Sequence, residues 1–272
     1  MKIAGAGAGG FALAGCAGRR PPLTYRRALS QAPFARPRID TGRIVRTMVG
    51  LRPYRRSGFV VSAQRMGEKL VVHNYGHGGG GITLSWGSSS LAVREAPAAT
   101  GERRAAVIGC GIMGLTTARL LQDRGWNVTI YTKAMPLETT SGVAGGQWSP
   151  TSVFEEGAAT KAFEAQFKEA ARIAHHTFGR LAGVGYGVSW KENYVLNATH
   201  VPPREIYYLR ELPDLFPTLA ELGPGEHPFP SPFVYRYLTM LVEPAVFLTR
   251  VLHDIREAGG RVVVRDFTDR AD

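Results

Sequence analysis

Three glycines in Gly109-Cys110-Gly111-Ile112-Met113-Gly114 have the spacing GxGxxG. The chemistry open to such a run is that of bare backbone. Gly109 permits a sharp turn, Gly111 lets main chain approach a pyrophosphate, and Gly114 lets a following helix pack on the preceding strand. The first amides of that helix, including those of Ile112 and Met113, then face the phosphates with the positive end of the helix dipole behind them. A second run, Asn74–Gly81, has five glycines in eight residues and leads into the helix-forming stretch Ile82–Val93. It too leaves amides uncovered at a helix N-terminus. Gly5, Gly7, Gly9 and Gly10 have no strand before them and read as an unstructured start.

The remaining polar candidates are fewer. An acid is expected at the end of the second strand of a dinucleotide fold, to accept from the adenosine ribose, but Lys133 stands there. Lysine at that place suits a 2′-phosphate, and hence NADP, or is a plain surface residue; Glu138 is the acid near enough in sequence to substitute. His175 and His176 are adjacent, so they do not share one helical face as a metal pair would. Cys16 and Cys110 are the only cysteines, which predicts neither a disulfide nor a cysteine metal site, and no metal is expected.

The elements that must position these groups follow from periodicity. Ala105–Ile108 predicts a short buried strand, Ile112–Asp123 a helix with Leu115, Ala118, Leu120 and Leu121 inward, and Val128–Tyr131 the next strand. Upstream, Ser57–Ala63 and Lys69–His73 predict a hairpin connected through the polar stretch Gln64–Glu68. Downstream comes the loop Met135–Pro150, then an amphipathic helix over Ala159–Leu181 with Phe163, Phe167, Ala170, Ala171, Ala174 and Phe178 on one side. Tyr186–Trp190 and Tyr194–Leu196 predict two strands, followed by a proline-punctuated region through Pro232. Pro244–Ala258 predicts a helix with Val246, Phe247, Val251, Leu252 and Ile255 inward, and Arg261–Arg265 a last strand.

Charge is uneven along the chain. Residues 1–60 hold twelve Lys/Arg against the single acid Asp40, whereas the rest holds twenty-one of each sign. The excess is spread through Arg19, Arg20, Arg26, Arg27, Arg36, Arg38, Arg43 and Arg46, among prolines, rather than gathered on a folded face. That excludes a specific nucleic-acid reader and predicts a flexible basic arm. The first residues, ending Leu13-Ala14-Gly15-Cys16, are similar to a lipoprotein export leader, in which Cys16 carries lipid. With such a leader the protein sits in the bacterial cell envelope or on its periplasmic side, attached to a membrane surface through the lipidated amino terminus; without it, in the cytoplasm. The apolar run is too short to span a bilayer.

Three stretches resemble one family, the FAD-dependent D-amino-acid oxidases, with D-aspartate oxidase as a close relative. Gly50-Leu51-Arg52-Pro53-Tyr54-Arg55-Arg56 is similar to the family's GLRPxR segment, and His73–Gly87 to its HNYGHGGxGxTxxWG signature. Val107–Gly114, Tyr131 and Thr139–Pro150 resemble its nucleotide motif and the loop that lies against the flavin, and Tyr237–Phe267 is more loosely similar. The resemblance implies an α/β fold, a Rossmann-like FAD-binding domain with a second, β-rich substrate domain that is incomplete in this chain. It implies FAD as cofactor, a D-amino acid and molecular oxygen as reactants, and hydride transfer to flavin N5 with release of an imino acid, then a 2-oxo acid, and peroxide. No general base is needed, so His73 and His77 brace the loop.

Carried over position by position, Arg55 binds the substrate carboxylate through a two-pronged contact, and Arg52 holds the loop or is the second choice of clamp. Gly78, Gly79, Gly80, Gly81, Ile82 and Thr83 surround the flavin pyrimidine edge, where amides and a helix start favour the reduced anion. Thr83 donates to the flavin oxygen or serves as an N-cap. Gly109, Gly111, Ile112, Met113, Gly114, Lys133, Thr139 and Thr140 hold the nucleotide. Gly145, Gly146, Gln147 and Trp148 lie by the isoalloxazine, although Trp148 and Trp86 also fit a plain core. Tyr207, Tyr208, Tyr235 and Tyr237 receive no active-site role.

In the family the arginine and HNYGHGG segments follow the nucleotide motif; here they precede it. That order implies a circular permutation joined at the linker 95–104, tolerable where surface termini lie close together. The resulting division is 1–18 leader, 19–47 basic arm, 48–94 permuted segment, 95–104 linker, 105–183 dinucleotide-binding core, 184–243 partial substrate domain and 244–272 return helix and strand. Left without the strands that follow it in the family, Val262–Val264 would expose its backbone edges or pair differently. Three other readings each take up fewer of these residues: a glycine/sarcosine-type flavin oxidase, an NADP reductase favoured by Lys133 alone, and a non-catalytic flavin-binding or envelope-associated protein.

Overall fold

A computed structural model describes residues 37–96 and 103–268. In chain order these form strands β1 (Val60–Met66) and β2 (Lys69–Tyr75), helix α1 (Gly81–Arg94), strand β3 (Arg104–Ile108), helix α2 (Ile112–Gln122), strand β4 (Asn127–Thr132) and helix α3 (Lys161–Leu181). Strand β5 (Val188–Asn197), helix α4 (Tyr207–Glu211), strands β6 (Ala220–Leu222) and β7 (Phe233–Val242), helix α5 (Pro244–Glu257) and strand β8 (Arg261–Val264) follow. They belong to one compact unit, Arg36–Asp272. The leader, most of the basic arm and most of the linker lie outside the described residues. Among the described residues no helix is long and apolar enough to cross a membrane.

A parallel sheet ordered β3-β4-β8 carries the dinucleotide fold, with α2 crossing from β3 to β4. β8 does not stand alone. It pairs with β4 from Thr129↔Arg261 to Thr132↔Val264, so its backbone groups are met on one side. α5 leads into it, and Phe247, Leu248, Val251, Leu252 and Ile255 form its buried face. Val246, expected inward, is 43% exposed; at 100° per residue it points away from that face, and Leu248 takes the place.

The second sheet is antiparallel, ordered β5-β7-β6. Val188–Trp190 of the first expected strand and Tyr194–Leu196 are not two strands but parts of the single strand β5, because Lys191–Asn193 contains no glycine or proline and the whole strand stays in register with β7 from Val188↔Val242 to Asn197↔Phe233. β7 has no counterpart in the sequence reading. It is the central strand, its apolar residues run on without alternation, and residues on both of its faces are buried. At the other end of the described chain the β1–β2 hairpin carries strand through Gln64-Arg65-Met66, which read as connection. Its residues are mostly exposed, so polar side chains suit it, and Gly67 (φ +60°) makes the turn.

α1 lies between α2 and α3 and is buried along most of its length. Small residues allow this. Ala170, Ala171 and Ala174 of α3 are fully buried, and a Cβ on Gly87 of α1 would come 1.8 Å from the Ala170 carbonyl oxygen. Gly87→Ala gains about 1 kcal/mol of helix propensity but forces two backbones apart. A net loss of about 2 kcal/mol or more is expected from urea unfolding; an unchanged midpoint would show that the helices can separate freely.

Candidate functional site

Four segments converge on a cavity of about 440 Å³. One is the glycine turn after β3. Gly109 has φ +98° with open space where a Cβ would stand, and a Cβ on Gly114 would meet the Gly109 carbonyl oxygen at 1.9 Å. Glycine is therefore required at Gly109 by conformation and at Gly114 by close approach. α2 then starts at Ile112 with Gly111 at its N-cap position, and that residue offers no side-chain bond. Ile112 donates its amide to Ser141 Oγ at 3.0 Å, which ties the helix start to the Thr139–Ser141 run.

The second segment is the loop from β2 into α1. Gly76 and Gly78 have φ +88° and +56°, Gly78 donates to the Pro53 carbonyl and Gly79 to that of Ser152. α1 begins at Gly81 with Gly80 at its N-cap, again without a side-chain cap. Thus the N-termini of two helices open on the same cavity with no side chain of the N-cap residue spent on their first amides, and their dipoles add there. Thr83 is not the cap. Its buried hydroxyl exchanges hydrogen bonds with Ser149, donating to the carbonyl at 3.0 Å and accepting from the amide at 3.1 Å.

The third segment is Thr140–Gln147. Gly146 (φ +73°) carries it past the end of β7, where a Cβ would sit 1.8 Å from the Val242 carbonyl oxygen, and Val242 donates back to Gly146 at 2.8 Å. Trp148 donates its amide to the Met240 carbonyl, and Thr239 Oγ1 donates to the Trp148 carbonyl at 2.7 Å. β7, unforeseen in the sequence, is therefore what holds this loop. The Trp148 ring is buried against His175 and Phe216 and is not on the cavity wall.

The fourth segment is the arginine loop. Arg52 lines the cavity, and a Cβ on Gly79 would come 3.3 Å from its Nη1. Arg55, the expected clamp, does not line it. Its Nε donates to the Gly58 carbonyl at 3.2 Å, its stem lies along Gly76, and its guanidinium covers the Tyr75 ring at 5.7 Å. Arg56 forks onto Glu155 at 2.6 and 2.9 Å. The structure thus puts the first rather than the second arginine of the segment at the cavity.

Of the other candidates, Gly78, Gly79, Gly81 and Ile82 line the cavity with Thr83. So do Gly109, Gly111, Ile112, Met113, Gly114, Thr140, Gly145, Gly146 and Gln147. Gly80 stands behind the wall, where a Cβ would meet Val153 at 2.5 Å, and Thr139 lies beside Gly111 and Ser141 without reaching it. Lys133 is exposed and off the wall. Glu138 accepts from the Met135 amide at 2.9 Å, so its carboxylate closes a local turn. Asn74 and Ser141 line the cavity but were not singled out, although both stand in the quoted stretches.

His77 is buried, stacks on Phe59 at 4.7 Å, and meets Ser88 Oγ at 2.8 Å. Burial pushes its imidazole down to about 3, so it is neutral in the fold. The unfolded chain takes up that proton near its ordinary value of about 6.5. Stability from His77 is therefore full above about 6.5 and drains as pH falls towards 3, by a total on the order of 5 kcal/mol. Urea unfolding of wild type should weaken between pH 7 and pH 4 more than that of His77→Asn. Equal losses would contradict a neutral buried ring. Cys110 is buried in the glycine turn, and burial raises its thiol to about 11, which suits packing rather than nucleophilic chemistry.

A parallel sheet, a glycine turn after its first described strand and an open helix start define a dinucleotide-binding fold. The family model described as FAD dependent oxidoreductase matches residues 104–270, and the chain belongs to that family, whose cofactor is FAD. The matched span holds the glycine turn and the Thr139–Trp148 loop and begins after the arginine and HNYGHGG segments. The chain is 38% identical to a D-amino-acid oxidase of Rubrobacter xylanophilus over 165 residues, 60% of this chain and 46% of that protein. It is 41% identical to a D-aspartate oxidase of Homo sapiens over 73 residues, 25% of this chain and 21% of that protein. A glycine oxidase of known structure from Bacillus cereus matches at TM-score 0.44 and 20% identity, over 60% of this chain and 47% of its own, a likeness too loose to argue from. The chain spans about half the length of the Rubrobacter relative.

The residues fit FAD on structural grounds. Open space stands where Cβ atoms of Gly109 and Gly145 would be, and a Cβ on Gly81 would touch only Ile112, at 4.0 Å. Two helix starts without an N-cap side chain line the cavity at two places, where their dipoles suit anionic oxygens of one elongated ligand; the Ile112 amide itself is taken by Ser141 Oγ.

Proposed function

We propose that this chain carries the FAD site of an oxidase that deaminates D-amino acids to imino and then 2-oxo acids, reducing oxygen to peroxide. The observation that supports it most is the convergence of two helix N-termini, neither with an N-cap side chain, together with Arg52 on a single cavity. Gly111–Gly114 would hold the pyrophosphate, and Gly78–Thr83 the pyrimidine edge of the flavin. FAD, when bound, supplies the acceptor for the hydride that leaves the substrate α-carbon. Arg52 would take the substrate carboxylate through its planar fork, fixing the α-carbon in place. Amides at the start of α1 would favour negative charge on the flavin oxygen, and Thr83 would keep Ser149 and its loop against the ring.

We further infer a circularly permuted order, with the arginine and HNYGHGG segments ahead of the glycine turn. The meeting of both segments on one cavity supports this reading, because permutation preserves contacts while changing connectivity.

The test is to reconstitute the chain with FAD and mix it without oxygen with D-alanine, D-aspartate and glycine. Bleaching by a D-amino acid, with peroxide on readmitting oxygen, is the expected result. Bleaching by glycine alone would move the reading to a glycine-type oxidase. A flavin that binds but is reduced by none of them would leave a flavin-binding protein.

A further inference from the structure

Between α1 and α2 runs a file of hydroxyls that the proposed chemistry does not use. Ser89 and Thr116 are fully buried, with their oxygens 2.8 Å apart. Thr117 Oγ1 donates to Ser89 Oγ at 2.9 Å, and Thr116 Oγ1 donates to the Ile112 carbonyl at 2.8 Å. Asn74, the penultimate residue of β2, reaches this file from the glycine loop. Its Nδ2 donates to Ser89 Oγ at 3.1 Å and to Thr117 Oγ1 at 3.3 Å.

Each hydroxyl has one proton to give, and the bonds can be satisfied in one direction. Asn74 donates to Ser89 and Thr117, Thr117 to Ser89, Ser89 to Thr116, and Thr116 to Ile112. The file therefore starts at the mouth of the loop that leads to Gly76–Gly81 and ends on the first residue of α2. Asn74 and Ile112 both line the cavity. Hydrophobic packing alone would tolerate small slips between α1 and α2, whereas a file of hydrogen bonds that is buried at Ser89 and Thr116 fixes separation and register and is costly to leave half-made.

We propose that Asn74, acting through Ser89 and Thr117, is a positioning residue that sets the distance between the two glycine walls of the cavity. Its consequence for the cofactor rests on the FAD reading above; its consequence for the walls does not. Without the file each wall keeps its own turn geometry, and among the described residues only the weak Ser88 Oγ to Met113 Sδ contact at 3.5 Å is left as a polar tie between them. The loss should fall on a ligand that must touch both walls at once.

The experiment compares Thr117→Val, which removes both hydrogen bonds of that hydroxyl, with Thr117→Ser, which keeps the oxygen, and with Asn74→Ala. On the flavin-free chain, backbone amide exchange at Gly78–Thr83 and at Gly111–Leu115 should speed up together in Thr117→Val and Asn74→Ala and stay near wild type in Thr117→Ser. FAD affinity should fall about tenfold in the first two, an effect the size of one buried hydrogen bond, and be restored in the serine variant. Faster exchange at one wall only, or an equal rise at every protected amide, would reduce the file to ordinary packing and overturn the proposal. So would joint loosening that leaves FAD affinity untouched. If wild type takes up no FAD while the walls loosen together, the coupling stands and the flavin reading falls.

Discussion

Arg52→Ala should leave FAD affinity within a few fold of wild type and weaken D-amino-acid binding by about a hundredfold or more. A two-pronged guanidinium–carboxylate contact comprises two charge-assisted hydrogen bonds, each worth about 1.5–3 kcal/mol, and each 1.4 kcal/mol is tenfold in affinity. Arg52→Lys should recover part of the loss, since a point charge remains but the fork does not. Arg55→Ala is the contrast. That guanidinium is spent on Tyr75 and on the Gly58 carbonyl, so its removal should cost about 1 kcal/mol of stability and little substrate affinity. Anaerobic flavin reduction at graded substrate concentrations measures both. A larger binding loss in Arg55→Ala than in Arg52→Ala would return the clamp to the second arginine.

Gly114→Val should abolish FAD binding. A Cβ at that position would lie 1.9 Å from the Gly109 carbonyl oxygen, so either the turn or the helix start must move. Both carry the amides proposed for the pyrophosphate, and the parallel sheet gives β3 little room to retreat without losing its register with β4. Beyond binding, a stability loss of about 3 kcal/mol is expected from forced overpacking of backbone. Gly109→Ala separates space from conformation. Nothing stands near its Cβ, but φ +98° is unfavourable for any other residue. It should cost about 1–3 kcal/mol and weaken rather than abolish FAD binding. Calorimetric titration with FAD and thermal unfolding of both variants check the pair. Tight binding by Gly114→Val would mean that the turn does not hold the phosphates.

Much of this site is legible because glycine is conspicuous. Gly109, Gly111 and Gly114 announce a strand, a turn and a helix together, and the structure shows the role of Gly109 in its φ angle and that of Gly114 in its missing Cβ. The long amphipathic helix was equally readable, since Phe167, Ala170, Ala171, Ala174 and Phe178 fall on one face and are fully buried. What was not legible depends on contacts distant in sequence. β7 shows no alternation because it is covered on both sides, so a run such as Phe233–Val242 between prolines does not declare itself a strand. Without β7, nothing could place Gly146 or decide between the flavin wall and the core for Trp148.

The choice between Arg52 and Arg55 illustrates the same limit at a single residue. Both stand in one short motif, and motif spacing does not reveal that the Tyr75 ring, brought over by the hairpin, captures the second guanidinium. Thr83 was read as a ligand group or a cap because both are local possibilities. Its true partner, Ser149, lies 66 residues away in sequence.

Titration of the flavin-free chain with FAD, followed by quenching of flavin fluorescence, tests the central claim that both glycine walls grip one cofactor. Saturation at one FAD per chain is expected for wild type. Binding should be lost on Gly114→Val in one wall and, separately, on Gly78→Val in the other, where a Cβ would meet the Ser152 carbonyl at 2.4 Å. A wild-type chain that leaves FAD fluorescence unchanged, or one that binds FAD equally well with either wall blocked, would contradict it.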